Sequence, residues 1–113
     1  MKIDIKYTQF QMTEDIDDYA RKHIGSVARL LKSFEVLREI TVFVEIARST
    51  KHHRHGDVFY AEVTFDLEGK TMRAEATEPD IRLAIDKVKE KIKKEVRRYK
   101  DKLVTDQRRR HSA

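Results

Sequence analysis

Lysine and arginine are the residues here whose number and spacing could do chemistry. Residues 80–102 hold ten of them against five acids, a net of +5. Residues 103–113 add three arginines and one aspartate, a net of +2. The whole chain carries +5, so residues 1–79 carry −2. Positive charge gathered in the last third of a chain can capture a polyanion, and nucleic acid is the commonest one. The same composition also suits a solvated helix face, because Lys and Glu are good helix formers. The charge imbalance keeps both readings open.

A second group is His52, His53 and His55 in the stretch STKHHRHGD. Adjacent loop histidines rarely converge on one ion, and only Asp57 stands near enough to complete a tetrahedral set, so no metal is expected. Lys51 and Arg54 in the same stretch are candidate RNA contacts, with stacking available from the imidazoles. A loop without fixed structure fits the stretch equally well. There is no cysteine, hence no disulfide, thiolate nucleophile or cysteine-ligated metal. No glycine-rich phosphate loop, nucleophile elbow or framed carboxylate pair occurs, so neither enzymatic activity nor a small-molecule substrate is expected. No apolar run is long enough to span a membrane, and the first ten residues lack a signal-peptide core. The expected location is the cytoplasm, with no membrane partner and no cofactor.

These cations need elements to hold them. Ile81, Ala84, Ile85, Val88, Ile92, Val96 and Tyr99 recur at three- and four-residue steps, one face of a helix. At about 100° per residue, Lys87, Lys91, Lys94 and Arg98 fall on one flank of that stripe. Arg82, Lys89, Lys93, Arg97 and Lys100 fall on the other, and Asp86, Glu90 and Asp101 lie opposite the stripe. An earlier helix starts at Thr13, a good N-cap followed by Glu14 and Asp15, and runs to about Lys32 with Gly25 a mild weakness inside it. His23 falls on its apolar side and reads as a packed or boundary residue. Lys22 and Arg29, seven residues apart, share a flank, and with Lys87, Lys91, Lys94 and Arg98 they are the helix candidates for RNA contact.

Four segments alternate with period two. They centre on Ile3–Tyr7, Ile40–Ile46, Phe59–Leu67 and Met72–Ala76. Glu68-Gly69 joins the last two as a tight hairpin. Thr77 and Asp80 have capping-box spacing, with Pro79 suited to a first helical turn. Phe43 and Tyr60 fall on the polar sheet face and read as ordinary exposed residues. The order β-α-β-β-β-α, with one polar face on every strand, predicts a two-layer α/β (α+β) sandwich: a four-stranded sheet with both helices on one face. The first two strands should be parallel, joined by the helix, and the rest antiparallel. At 113 residues one core is expected. Residues 103–113 show no apolar periodicity and are expected to form a flexible basic tail.

This element order and the segment AEATEPDIRLAIDKVKEKIKKEVRRYK resemble the ribosome hibernation-promoting factors, also called ribosome-associated inhibitors, in their short form. Ala74, Glu75, Asp80, Ala84, Ile85, Asp86, Lys91 and Lys100 sit where that family's pattern has them, as do Asp18 and Tyr19 in MTEDIDDYARKHI. The resemblance covers about residues 1–102 and implies a single ribosome-binding domain there. It implies a protein that binds the small ribosomal subunit and its rRNA, occupies the mRNA and tRNA channel, and silences translation. By position it assigns rRNA contact to Lys91, Lys94, Arg98 and Arg29. His23 and Ser26 stand where the family commonly has lysine, and the loop at residues 48–57 is longer and richer in histidine than usual. The alternatives are a general structured- or double-stranded-RNA-binding protein, or a small metal-dependent enzyme built on the histidine loop.

Overall fold

The computed structural model describes residues 1–49 and 58–111. Strand β1 (Lys2–Thr8) leads into helix α1 (Glu14–Gly25) and the short α2 (Ala28–Leu31), which a 3-10 turn (Lys32–Phe34) closes. Strands β2 (Thr41–Ser49), β3 (Val58–Leu67) and β4 (Lys70–Glu78) follow, then α3 (Ile81–His111). The sheet order is β1-β2-β3-β4, with β1 and β2 parallel and the other pairs antiparallel. The expected two-layer sandwich is therefore observed.

Alternation on each strand sends one set of side chains inward. Val42, Val44 and Ile46 of β2, Ala61, Val63, Phe65 and Leu67 of β3, and Met72, Ala74 and Ala76 of β4 form the sheet side of the core. Ile16, Ala20 and Ile24 of α1, with Val27 and Leu31, cover part of it; Ile81, Ala84, Ile85, Val88, Ile92 and Val96 of α3 cover the rest. Each fully buried side chain of this size contributes about 1.5–3 kcal/mol, so the stripe on α3 alone fixes that helix to the sheet. The β3–β4 turn has Glu68 at φ 53° and Gly69 at φ 83°, the paired positive values of a type I′ hairpin.

Thr13 caps α1 as expected: its Oγ1 accepts from the Ile16 amide at 3.3 Å. Three expectations are corrected. The first helix does not run unbroken to Lys32. At Ser26 the hydroxyl and the amide both turn to the His23 carbonyl, at 2.6 and 3.3 Å, and the Val27 amide bonds Ile24 at 3.0 Å. These tight i→i−3 bonds interrupt α-helical winding where Gly25 and Ser26, two weak helix formers, follow each other. The cap of α3 is Asp80, not Thr77: β4 extends through Glu78, and Asp80 Oδ1 accepts from the Arg82 amide at 2.8 Å. Finally, regular structure does not end at Lys102. With no glycine or proline after Pro79, nothing stops α3 before His111. At 1.5 Å per residue its 31 residues extend roughly 46 Å, most of the 58 Å long axis of the molecule.

Candidate nucleic-acid interface

The two faces of the sandwich differ in charge. On the outer sheet face, Asp4, Glu45, Glu62, Asp66 and Glu75 outnumber Lys2, Lys6 and Arg73. Glu45, Glu62 and Glu75 stand directly opposite one another across three strands. Such a row is unfavourable unless neutralised. Arg73 Nη2 donates to both Glu62 and Glu75 at 2.9 Å, and the Tyr60 hydroxyl is shared between the same two carboxylates. The Tyr60 bond, with help from Arg73, holds the Glu62 carboxyl below its usual range, while burial and the two glutamates push the Tyr60 phenol up. Tyr60 is thereby tied to its own sheet. Phe43 remains 57% exposed beside a hollow of about 460 Å³ lined also by Asp4, Glu45 and Glu62. Acids around that ring repel phosphate, so this face is a poor RNA platform.

The helix layer carries the positive charge, and its two shoulders are built differently. Lys91, Lys94 and Arg98 line a shallow hollow of about 390 Å³ between α3 and the edge strand β4, together with Arg73, Glu75 and Glu95. Most cations on this shoulder already have partners within the chain. Lys87 Nζ lies 2.9 Å from Glu78, Lys91 Nζ donates to the Glu75 carbonyl at 2.7 Å, and Arg98 pairs with Glu95 at 3.4 Å. Lys94 alone of the four has no partner among the described residues.

The other shoulder faces α1 and α2. Arg29 lines a cleft of about 270 Å³ with Ser26, Leu30, Lys93 and Arg97. None of Arg29, Lys93 and Arg97 has a hydrogen-bond or ion-pair partner among the described residues. Three such cations around one cleft repel each other, and an anion between them removes that cost. Of the expected site residues, therefore, Lys87, Lys91, Lys94 and Arg98 lie on one side of α3, and Arg29 on the other. Lys22 is exposed on α1, has no partner among the described residues, and does not line the Arg29 cleft. Lys51 and Arg54, like His52, His53 and His55, lie outside the described residues. Spacing places Lys93 and Arg97 on a basic flank, but it carries no sign that this flank meets Arg29.

Further up the same seam, Tyr19 Oη donates to Asp86 Oδ1 at 2.7 Å, and Lys89 Nζ lies 3.2 Å from His23 Nδ1. Asp86 therefore points into the seam between α1 and α3. The expectation that it lies opposite the apolar stripe is corrected, because the neighbouring helix packs over the edge of that stripe and supplies a donor. His23 is partly buried there, its ring centroid 4.1 Å from that of Tyr19 with the two planes tilted by 37°. Among the described residues, no three His, Asp or Glu side chains gather as a metal site, and no helix is long and apolar enough to cross a membrane.

Comparison with known proteins agrees with this architecture. The family described as "Sigma 54 modulation protein / S30EA ribosomal protein" matches residues 3–104. A ribosome hibernation promotion factor from Lactococcus lactis subsp. cremoris is 30% identical over 103 residues, which cover 91% of this chain and 51% of that protein. One from Picosynechococcus sp. is 29% identical over 103 residues, covering 90% and 50%. The chain thus spans about half the length of the curated relatives it matches. The crystal structure of the Thermus thermophilus Protein Y N-terminal domain superposes with a TM-score of 0.67 at 26% identity, covering 88% of this chain and 99% of that one. A ribosomal subunit interface protein from Coxiella burnetii shares the fold, with a TM-score of 0.65 at 16% identity over 89% and 99% of the two chains.

Proposed function

The chain belongs to the sigma 54 modulation protein / S30EA ribosomal protein family, and we propose that it silences translation by occupying the ribosome. The helix layer docks on rRNA of the small subunit, and the body of the domain fills the channel used by mRNA and tRNA. No bond is made or broken, so no cofactor, catalytic residue or small-molecule substrate is required. The action belongs in the cytoplasm, where ribosomes work. Support comes from relatives named for ribosome hibernation. The observation that carries the reading is the polarised sandwich. Cations without partners among the described residues crowd the helix layer, while acids cover the sheet. Phosphate attracts the first face and is repelled by the second.

The contact surface includes both shoulders of α3. Arg29, Lys93 and Arg97 offer charge that none of the described residues neutralises, and Lys94 does the same on the other side. Lys87, Lys91 and Arg98 can exchange an internal partner for phosphate, with a smaller net gain because the internal bond must break first. Lys22, Lys51 and Arg54 extend the basic surface.

Co-sedimentation with purified small subunits tests the reading. The protein should pellet with the subunits, reduce cell-free translation, and resist displacement by an excess of duplex RNA. Displacement by duplex RNA as readily as by subunits would favour a general double-stranded-RNA binder. Failure to pellet at low salt would overturn the proposal.

A further inference from the structure

The seam between α1 and α3 contains a contact that protonation would break. His23 Nδ1 lies 3.2 Å from Lys89 Nζ and 3.7 Å from Asp86 Oδ1. A lysine ammonium has only donors, so His23 must be the acceptor, with Nδ1 unprotonated. The contact holds Lys89 in the seam, where only 17% of its side chain is exposed. A proton on Nδ1 removes the acceptor and sets two positive charges against each other. The same proton gives Asp86 a cationic partner.

The geometry points to a proton-controlled cation at the mouth of the anion cleft: protonation of His23 ejects Lys89 from the seam and strengthens binding of RNA phosphate between the helices. This rests on the proposed rRNA contact and adds its regulation. Histidine is the side chain that ordinarily titrates between about pH 5 and 8. The groups around His23 favour this response. From α3, Asp86 attracts the imidazolium and Lys89 repels it. Glu90 already lies 3.8 Å from Lys89 Nζ and is the acid that phosphate must outcompete for the released ammonium. Arg82 is held over the Tyr19 ring at 5.4 Å, and Asp80 stands near the same ring. From α1, the tilted Tyr19 ring lies against the imidazole and its hydroxyl already donates to Asp86, and Lys22 is the adjacent cation. Farther along, Arg29 of α2 with Lys93 and Arg97 of α3 form the cleft that a freed Lys89 joins, since Lys93 is one helical turn beyond it.

The sign follows from linkage. The protonated form presents the imidazolium and a released ammonium to phosphate, so it binds better, and affinity rises as pH falls through the His23 transition. Reciprocally, bound phosphate favours protonated His23.

Two measurements on the full-length protein test this. In the free protein, an NMR titration should show the Lys89 ammonium signals changing together with the His23 ring, with one shared midpoint. Lys89 signals that ignore the His23 titration would overturn the proposal. In the second arm, affinity for purified small subunits at fixed salt should rise about five- to tenfold between roughly pH 8 and pH 6. His23→Gln, which stays an acceptor for Lys89, should hold the weaker affinity at both pH values. His23→Arg should hold the stronger one. The variant with His52, His53 and His55 all changed to Ala should keep the pH response. A response that survives in His23→Gln, or that vanishes in the loop variant, would overturn the proposal. Absence of subunit binding at every pH would instead sink the functional reading, and the NMR arm would still decide the switch.

Discussion

Tyr19 and Asp86, 67 positions apart, join the two helices through one 2.7 Å hydrogen bond. The bond to Asp86 is the main reason that the Tyr19 phenol is pushed up from its ordinary value. The bond ties α1 to α3 in the seam that continues toward Arg29, Lys93 and Arg97.

Tyr19→Phe should therefore cost about 1 kcal/mol of stability by urea denaturation, the usual net value of such a bond. Asp86→Asn should cost a similar amount. In a double-mutant cycle the two losses should be clearly less than additive, since either change removes the same bond. Fully additive losses would show that the two residues act separately.

The glycines make opposite predictions. Gly25 ends α1 without a positive φ, and a Cβ added there would meet Ile3 Cδ1 at an ordinary 4.0 Å. Gly25→Ala should stabilise the fold by about 0.4–1 kcal/mol, mainly by restricting the unfolded chain. Gly69 holds φ at 83°, where a side chain is strained even though the space around it is open. Gly69→Ala should destabilise by about 1 kcal/mol. Thermal denaturation of the two variants should move in opposite directions from wild type.

Much of this architecture is legible in the sequence because it rests on short-range rules. Alternation in Val42–Ile46 and Ala61–Leu67 reveals which strand face is buried. Thr13 and Glu68-Gly69 mark a cap and a turn, and the stripe from Ile81 to Tyr99 marks the core face of α3. The tertiary choices are not legible. Periodicity places Lys91 and Lys93 on opposite flanks of one helix but cannot say which flank another helix approaches. Ser26 carries no pattern that reveals its turn back to the His23 carbonyl. The helix after Lys102 leaves no signal because a projecting helix needs no apolar stripe, only the absence of residues that end it.

Near the entry to α1, Tyr7 donates to Asp17 Oδ1 at 2.6 Å, and Arg21 donates to Oδ2 at 2.8 Å. The Tyr7 bond first, then the Arg21 bond, hold the Asp17 carboxyl below its usual range. A carboxylate depressed on folding contributes stability above its unfolded pKa, and that stability is lost as pH falls through the folded value. Tyr7→Phe should remove part of this contribution at neutral pH, about 1.5–3 kcal/mol for a hydrogen bond to a charged group. The difference between variant and wild type should begin to shrink below about pH 4, the ordinary aspartate value, and should vanish only at a pH below the depressed folded value, where Asp17 is protonated in both states. A gap that stays constant down to that pH would mean that Tyr7 acts only through packing.

The last turns of α3 extend beyond Tyr99, which packs at 6.0 Å on Phe34 and donates to Glu68. Beyond them Val104 is exposed, and so are Arg108, Arg109 and Arg110. Ending the chain after Lys102 should leave the melting temperature nearly unchanged, since the core stripe stops at Val96 and Tyr99. Helical circular dichroism should fall, because α3 loses its last nine residues. If the three arginines touch phosphate, the slope of log affinity against log salt should drop by roughly 0.7–0.9 for each phosphate that is no longer neutralised. An unchanged slope would place this end of the helix away from RNA.

Charge reversal separates the two shoulders of α3. Changing Arg29, Lys93 and Arg97 to Glu removes three cations without partners among the described residues. Surface changes of this kind usually cost within about 0.5 kcal/mol each, and the mutual repulsion of three cations is exchanged for that of three carboxylates, so crowding alone should not separate this variant from wild type. Subunit binding should nevertheless collapse, because three attractions toward phosphate become repulsions. Changing Lys87, Lys91 and Arg98 to Glu alters the net charge equally but breaks the bonds to Glu78, the Glu75 carbonyl and Glu95, and sets like charges against each other there. That variant should be the less stable of the two. Its binding loss should be smaller per charge, since each wild-type cation must leave an internal partner before it meets phosphate. Lys94→Glu alone should behave like a member of the first group, having no partner among the described residues to give up. Affinity for small subunits and urea denaturation, measured on the same preparations, give both quantities. If the second variant lost more binding than the first while remaining as stable as wild type, the β4 shoulder would be the main docking face, and the cleft beside Arg29 would be secondary.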